Sequence, residues 1–304
     1  MSNNTQPISL RGWVLFAVMS VLWGITYAFI KEAVATISPA GVVAARTLLA
    51  GLILLPFAIR QGALKPALIQ WRWVLAFAIV EMAGPFLLLG YAEQTLPSGL
   101  TGLLVATVPL FAALIAVLGG DRNVLKPLRI AGLFMGFIGV AVIVSGPDLL
   151  DGGTVAIIAV AAVLFSSVLY STAPFIIANR LQSVPSIGSI TISLLMVGAF
   201  YTPFGMLGQH EVPSTRSIIS LLLLAVLCTA AAFVGFFALI REVGPVRAPL
   251  FTYVNPIVAI ILGALFLNEA LTPNLLIGLP LVLLGCWLAA TGRLGRVRDP
   301  DSAN

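Results

Sequence analysis

The sequence predicts an all-α membrane protein: ten transmembrane helices, arranged as two inverted five-helix repeats, with both termini cytoplasmic. Three observations predict it. First, 60% of the 304 residues are hydrophobic and only 9% are charged, at a mean hydropathy of +1.10. A soluble domain carries about a quarter charged residues, so lipid must be the main solvent of this chain. Second, the apolar residues gather in ten runs of bilayer-spanning length. Third, prolines and glycines recur at a spacing of about 147 residues.

A helix crosses the hydrocarbon core with about 20 apolar residues. The runs are 13–34, 38–59, 71–91, 97–118 and 128–145, then 154–178, 185–207, 217–240, 246–267 and 273–291. The first is too long for the apolar core of a secretion signal, and nine more follow, so no cleavable signal is expected. The loops are short and hold most of the charge, which leaves no room for a soluble domain. Residues 1–146 make the first repeat, 147–292 the second, and 293–304 a cytoplasmic tail whose end, Asp299 to Asn304, is expected to be disordered.

Lysine and arginine orient the chain, because cytoplasmic loops carry their excess. With the N-terminus inside, 13 of the 16 fall on the inner side: Arg11, Arg60, Lys65, Arg72, Arg122, Lys126, Arg129, Arg180, Arg241, Arg247, Arg293, Arg296 and Arg298. Lys31 and Arg216 fall outside, and Arg46 lies within a run. The net charge of +5 is therefore read as topology anchors spread over six segments, and no nucleic-acid partner is expected.

The repeat is carried by residues with special backbone geometry. Pro39, Pro56, Pro66, Pro97, Pro109 and Pro127 pair with Pro185, Pro203, Pro213, Pro245, Pro256 and Pro273 at offsets of 146 to 148; Gly132 and Gly139 pair with Gly278 and Gly285. Five spans per unit is an odd number, so the second unit enters the membrane from the opposite side. Pro97 and Pro245 start their spans, where a missing N–H costs nothing. Pro109 and Pro256 are expected mid-span, where each removes a backbone hydrogen bond. They are hinge candidates, against the alternative of tolerated packing irregularity. Gly132 and Gly136 form a GxxxG pair that lets helices approach closely, within the monomer in preference to a dimer.

Several segments resemble the drug/metabolite transporter superfamily, specifically its EamA-type ten-helix members. They are "LWGITYAFIKEA", "SPAGVVAARTLLAGLILLPF" with Arg46, "YAEQTLPSGLTGLLVATVPLFAALIAVL", and "FTYVNPIVAIILGALFLNEALTPNLLIGLPLVLLGCWLA", which holds Asn268-Glu269. The likeness covers nearly the whole chain. In the first half the glutamate expected after Pro109 is absent, and Asp121 lies near its place. The resemblance implies a secondary transporter of small metabolites in the bacterial-type inner membrane. Within the family the chain resembles the YddG-like amino-acid exporters, and that resemblance implies amino acids as substrate and export as direction.

A charge at mid-bilayer costs about 2.5–3.5 kcal/mol on insertion scales and needs a compensating role. Arg46 and Glu81 are the two charges read as deep within spans. Counting about 1.5 Å per residue, both lie near the midplane. They can pair with each other; or Arg46 can hold a substrate carboxylate while Glu81 faces an ammonium group or carries a proton. The repeat sets Ser193 opposite Arg46 and Cys228 opposite Glu81, so both charges belong to the first half alone.

Aromatic pairs at offset 147, Trp23 with Tyr170 and Phe86 with Phe233, suit a central cavity lined from both halves; packing or lipid-facing positions are the alternative. Tyr27, Thr107, Ser166, Ser167, Tyr253 and Asn255 supply candidate hydroxyl and amide groups. Asn255 precedes a proline and can instead bond a freed carbonyl.

Other classes find less support. Intramembrane transferases want clustered acids for metal and phosphate, and the membrane interior offers one acid, Glu81, and no histidine. Asp148 and Asp151 lie in a glycine-bounded outer loop and read as a turn. The single His210 falls in a loop, and Cys228 and Cys286 lack CxxC spacing, so no metal or disulfide is expected. No GxxxxGK[ST] pattern occurs, so ATP is not the direct energy source. Nothing resembles a channel filter. The partners expected are a small-molecule substrate and the bilayer, with no cofactor, in a monomer or weak homodimer.

Overall fold

The computed structural model describes residues 8–120, 126–146, 152–244 and 248–291. Among them every regular element is helical, and nine helices are long and apolar enough to cross a membrane. In chain order the helical segments are α1 (Leu10–Ala33), α2 (Pro39–Arg60), α3 (Trp71–Glu93), α4 (Ser98–Leu118) and α5 (Pro127–Val144). There follow α6 (Gly153–Arg180), α7 (Ser186–Leu207), α8 (Thr215–Val243), the shorter α9 (Asn255–Leu267) and α10 (Pro273–Ala290). The expectations resting on Asp121, Arg122, Asp148, Asp151, Arg247 and residues 292–304 lie outside the described residues.

Local chemistry sets the helix starts. Ser9, Ser38 and Ser214 are N-caps whose hydroxyls accept the backbone N–H of Gly12, Gly41 and Ser217. Pro39 and Pro127 occupy the first turns of α2 and α5, where proline's fixed φ suits a helix start.

Five irregularities differ from ten uninterrupted spans. α1 is interrupted at Ile25, between helical pieces Leu10–Gly24 and Thr26–Ala33. Pro85 has no N–H to give, and α3 widens into a π segment at Ile79–Ala83 just before it. A second π segment, Val226–Ala231, lies within α8; the two begin 147 residues apart. α4 breaks at Ala106 and Thr107, and the chain restarts as a helix at Val108–Leu118. The expected ninth span is split likewise, into a 3₁₀ turn Ala248–Tyr253 and α9 from Asn255. Pro109 and Pro256 thus sit in the first turn of a new helical piece, not mid-helix as the sequence suggested. Each ring forbids the hydrogen bond that would carry the preceding helix through.

Helix pairing has an exchange pattern. α2 packs on α7, α5 on α10 and α4 on α9; α3 packs on α6 as α8 packs on α1. The α5–α10 contact is backbone on backbone. A methyl added at Gly285 would lie 2.3 Å from Gly136 N and 2.8 Å from Gly132 O. The GxxxG pair is therefore consumed inside the chain. Gly205 and Gly41 make the matching close approach between α7 and α2. Outward faces carry large apolar residues such as Phe57, Phe134, Ile158, Phe200, Leu222 and Leu284. So much exposed apolar surface is a liability in water and is the correct face toward lipid.

Candidate functional site

Arg46 lies on the inner face of α2, 6% exposed. Two contacts fix it. Its Nε donates to Thr229 Oγ1 at 2.8 Å, and its guanidinium carbon stands 3.9 Å from the centroid of the Phe86 ring on α3. The π segment of α8 explains the first contact. Thr229 sits within it and donates its hydroxyl to Leu224 O at 2.8 Å, five residues back. The hydroxyl oxygen is then turned toward Arg46. The second contact is a cation–π stack, worth about 2 kcal/mol when desolvated.

Among the described residues, Thr229 is the one recorded acceptor for the guanidinium. Its remaining N–H groups keep the fork geometry that matches a carboxylate. The groups acting electrostatically on Arg46 are Tyr170, Cys228, Tyr27 and Glu93. Tyr170 is acted on in turn by Glu81, Tyr27 and Arg46. Tyr170 is thus within electrostatic reach of both the cation and Glu81. The expected Arg46–Glu81 ion pair is not formed: the ion pairs among the described residues are Arg11–Glu242 and Arg216–Glu32. Glu81 lies in the π segment of α3, half-buried.

The aromatic candidates divide. Trp23 donates its indole N–H to Cys228 O at 3.2 Å and meets Phe233 edge-on at 6.1 Å. Phe86 and Phe233 pack against one cluster, and Tyr170 against another. The hydroxyl and amide candidates mostly serve the backbone. Thr107 donates to Leu104 O (2.6 Å), Ser166 to Ala162 O (2.9 Å) and Ser167 to Val163 O (3.2 Å). Tyr253 reaches Cys286 O at 3.5 Å. Asn255, with its amide nitrogen turned inward, donates to Phe251 O and Ser20 O at 3.1 and 3.3 Å. With those donors committed to backbone carbonyls, the remaining candidates are Arg46, stacked on Phe86, and Tyr27, Tyr170 and Glu81, which are linked to it electrostatically.

One buried charge escaped the sequence reading. Glu93 was placed beyond its span, because the apolar run ends at Tyr91. The helix instead continues through it, and Glu93 is 0% exposed. Helical spacing held the signal: Met82, Leu89 and Glu93 lie on one buried face. Thr229 also went unnoticed, since a lone threonine in an apolar run announces nothing.

The two ends of the bundle are closed differently. At one end, Glu269 accepts from Ser98 N (2.6 Å), Ser98 Oγ (3.0 Å) and Gly99 N (3.0 Å), tying the end of α9 to the start of α4. Asn268 makes this possible by adopting the left-handed conformation (φ 54°) that turns the chain back. At the same end Ser38 N donates to Gln209, and Thr36, Ser214 and Ser217 interlink α1 with α8. Lys31 donates to Leu96 O at 2.9 Å. At the opposite end a recess of about 500 Å³ is lined by Trp73, Phe175, Ile176, Asn179 and Arg180, with Arg180 stacked 4.5 Å over Trp73. This recess is separate from the Arg46 cluster; Trp73 precedes Glu81 by eight residues, or about 12 Å of helix.

Known proteins share this architecture. The pattern of the EamA-like transporter family matches residues 10–145 and, a second time, 157–291. The chain is 27% identical over 295 residues to the uncharacterized inner membrane transporter YedA of Escherichia coli K12, covering 95% of this chain and 92% of that one. It is 27% identical over 292 residues to the uncharacterized transporter YvbV of Bacillus subtilis, covering 92% of each. A crystal structure sharing 20% identity superposes with a TM-score of 0.64 over 91% of this chain and 96% of its own, which is a likeness of fold. The sequence match spans both halves, and the described helices form a bundle of membrane-crossing length: the chain belongs to the EamA-like transporter family and is a multi-pass membrane transporter of small molecules, not an enzyme.

Proposed function

We propose that this protein exports amino acids across the inner membrane by alternating access, as ten spans in two inverted repeats with both termini cytoplasmic. The observation that carries the substrate class is the Arg46–Tyr170–Glu81 arrangement. Arg46 and Glu81 both act electrostatically on Tyr170 and form no ion pair with each other among the described residues. A zwitterion fits this arrangement: the carboxylate on the guanidinium fork, the ammonium toward Glu81, and the side chain against Phe86 and Tyr27. Binding a substrate that carries both charges compensates the cost of each in the interior.

The inverted repeat is supported by the exchange pattern of helix pairs, by the two π segments 147 residues apart and by the doubled family match. Two halves related by an axis in the membrane plane can swap conformations around a central site. The lysine and arginine distribution supports the orientation. On that orientation the tied end is external and the recess beside Trp73 is cytoplasmic. The inner-membrane wording in the name of the YedA relative supports the location.

The test is counterflow. Purified protein is reconstituted in liposomes preloaded with unlabelled amino acids, and uptake of labelled ones is followed with and without a pH gradient. Saturable, countertransported flux is expected. Flux that is absent, or that rises linearly with concentration, overturns the proposal.

A further inference from the structure

We propose that Glu93 is a proton-binding site of this carrier, and that its proton selects the partner of Lys31. Both carboxyl oxygens of Glu93 are sealed from solvent and have no hydrogen-bond partner; the nearby Lys31 backbone N–H falls outside bonding geometry. A buried carboxylate without donors costs several kcal/mol, and a proton on it removes the charge.

The titratable and charged groups that act electrostatically on Glu93 or respond to it are Lys31 and Tyr27 from α1, Glu269 from the end of α9 and Arg46 from α2. Glu269 is engaged by Ser98 and Gly99, and Arg46 by Thr229 and Phe86. Lys31 is the cation free to exchange partners, because its one recorded bond is to the carbonyl of Leu96. A metal ion would need several oxygen ligands. Among the described residues no three metal-ligating side chains gather, so a proton is the cation that fits.

The consequence is mechanical. The link between α3 and α4 is held from two sides, Leu96 by Lys31 and Ser98 with Gly99 by Glu269. When the mouth admits water, the O–H bond of Glu93 breaks and its proton passes to water. The carboxylate left behind then draws the Lys31 ammonium off Leu96, and one tie is released. Rebinding of a proton restores it. The coupling to flux rests on the alternating-access reading above; the proton site does not.

Infrared spectroscopy of the reconstituted full chain tests the site. The difference spectrum of wild type minus Glu93→Gln at neutral pH should show a protonated-carboxyl stretch that fades in alkaline medium, and the same component should survive in Glu81→Gln. No such component in the difference spectrum, or its loss in Glu81→Gln, overturns the assignment. The last arm stays decisive if Glu93→Gln fails to fold. In liposomes, Glu93→Gln should keep amino-acid counterflow and lose acceleration by a pH gradient; unchanged acceleration overturns the coupling. A wild type with no amino-acid flux refutes the substrate reading alone, and the spectra still decide the proton site.

Discussion

Replacing Glu269 by glutamine should release the start of α4 from the end of α9. In the native chain Oε1 takes one hydrogen bond, from Ser98 N, and Oε2 takes two, from Ser98 Oγ and Gly99 N. Glutamine has a single oxygen. It can keep the Ser98 N bond in neutral form, but it sets an NH₂ group against the Gly99 N–H. Hydrogen bonds to a charged partner contribute about 1.5–3 kcal/mol each, and an anion at a helix N-terminus adds about 0.3–1 kcal/mol. Losing two of three bonds, at a half-buried site, should therefore cost about 3–5 kcal/mol. Ser98→Ala removes only the hydroxyl bond and should cost about 1.5 kcal/mol. The assay is thermal unfolding of purified protein in detergent, run as a double-mutant cycle. Glu269→Gln should lower the midpoint at least twice as far as Ser98→Ala. The double variant should fall short of the sum, because the two share a bond. A Glu269→Gln protein that melts with wild type, or a Ser98→Ala protein that melts earlier than it, would refute the clamp.

Four further outcomes are expected. Gly285→Ala drives a methyl into the backbone of Gly136 and should destabilise by about 1–3 kcal/mol, read as a lower melting midpoint. Gly235→Ala meets only the flexible Met19 Sδ at 3.0 Å, and its midpoint should hold or rise, since alanine favours the helix by about 1 kcal/mol. Arg46→Lys keeps the charge but loses the Thr229 bond and the planar fork; half-saturation in amino-acid counterflow should rise about tenfold, equivalent to about 1.4 kcal/mol, and an unchanged value would remove Arg46 from the site. Glu81→Gln should abolish counterflow while folded protein remains in the membrane by size-exclusion profile, and full retained transport would dispose of its role.

The candidate site was legible where side-chain chemistry is improbable in lipid. An arginine or a glutamate inside an apolar run declares itself, so Arg46 and Glu81 stood out before any coordinates. Partnership did not. Composition made an Arg46–Glu81 pair as reasonable as any other, and the structure gives Arg46 to Thr229 and Phe86 instead. Thr107, Ser166, Ser167 and Asn255 looked like ligand groups, yet their donors go to backbone carbonyls. Only folded geometry tells which carbonyls the helix breaks leave open. Glu93 shows the reverse failure, because a span boundary drawn on hydropathy hid a charge that helical periodicity buries.

The sequence by itself determined that the chain is helical, apolar and multi-pass, and where proline and glycine recur, because each depends on local composition and covalent geometry. A missing N–H at Pro85, Pro109 or Pro256 disturbs a helix whatever surrounds it. Tertiary structure alone decided how each disturbance resolves: a π turn in α3, a break in α4, a 3₁₀ entry to α9. It also decided which helices share backbone contact, and that Glu269 reaches Ser98 across 171 positions of sequence. Those outcomes depend on what neighbouring helices offer to the freed groups, and that is a property of packing in three dimensions.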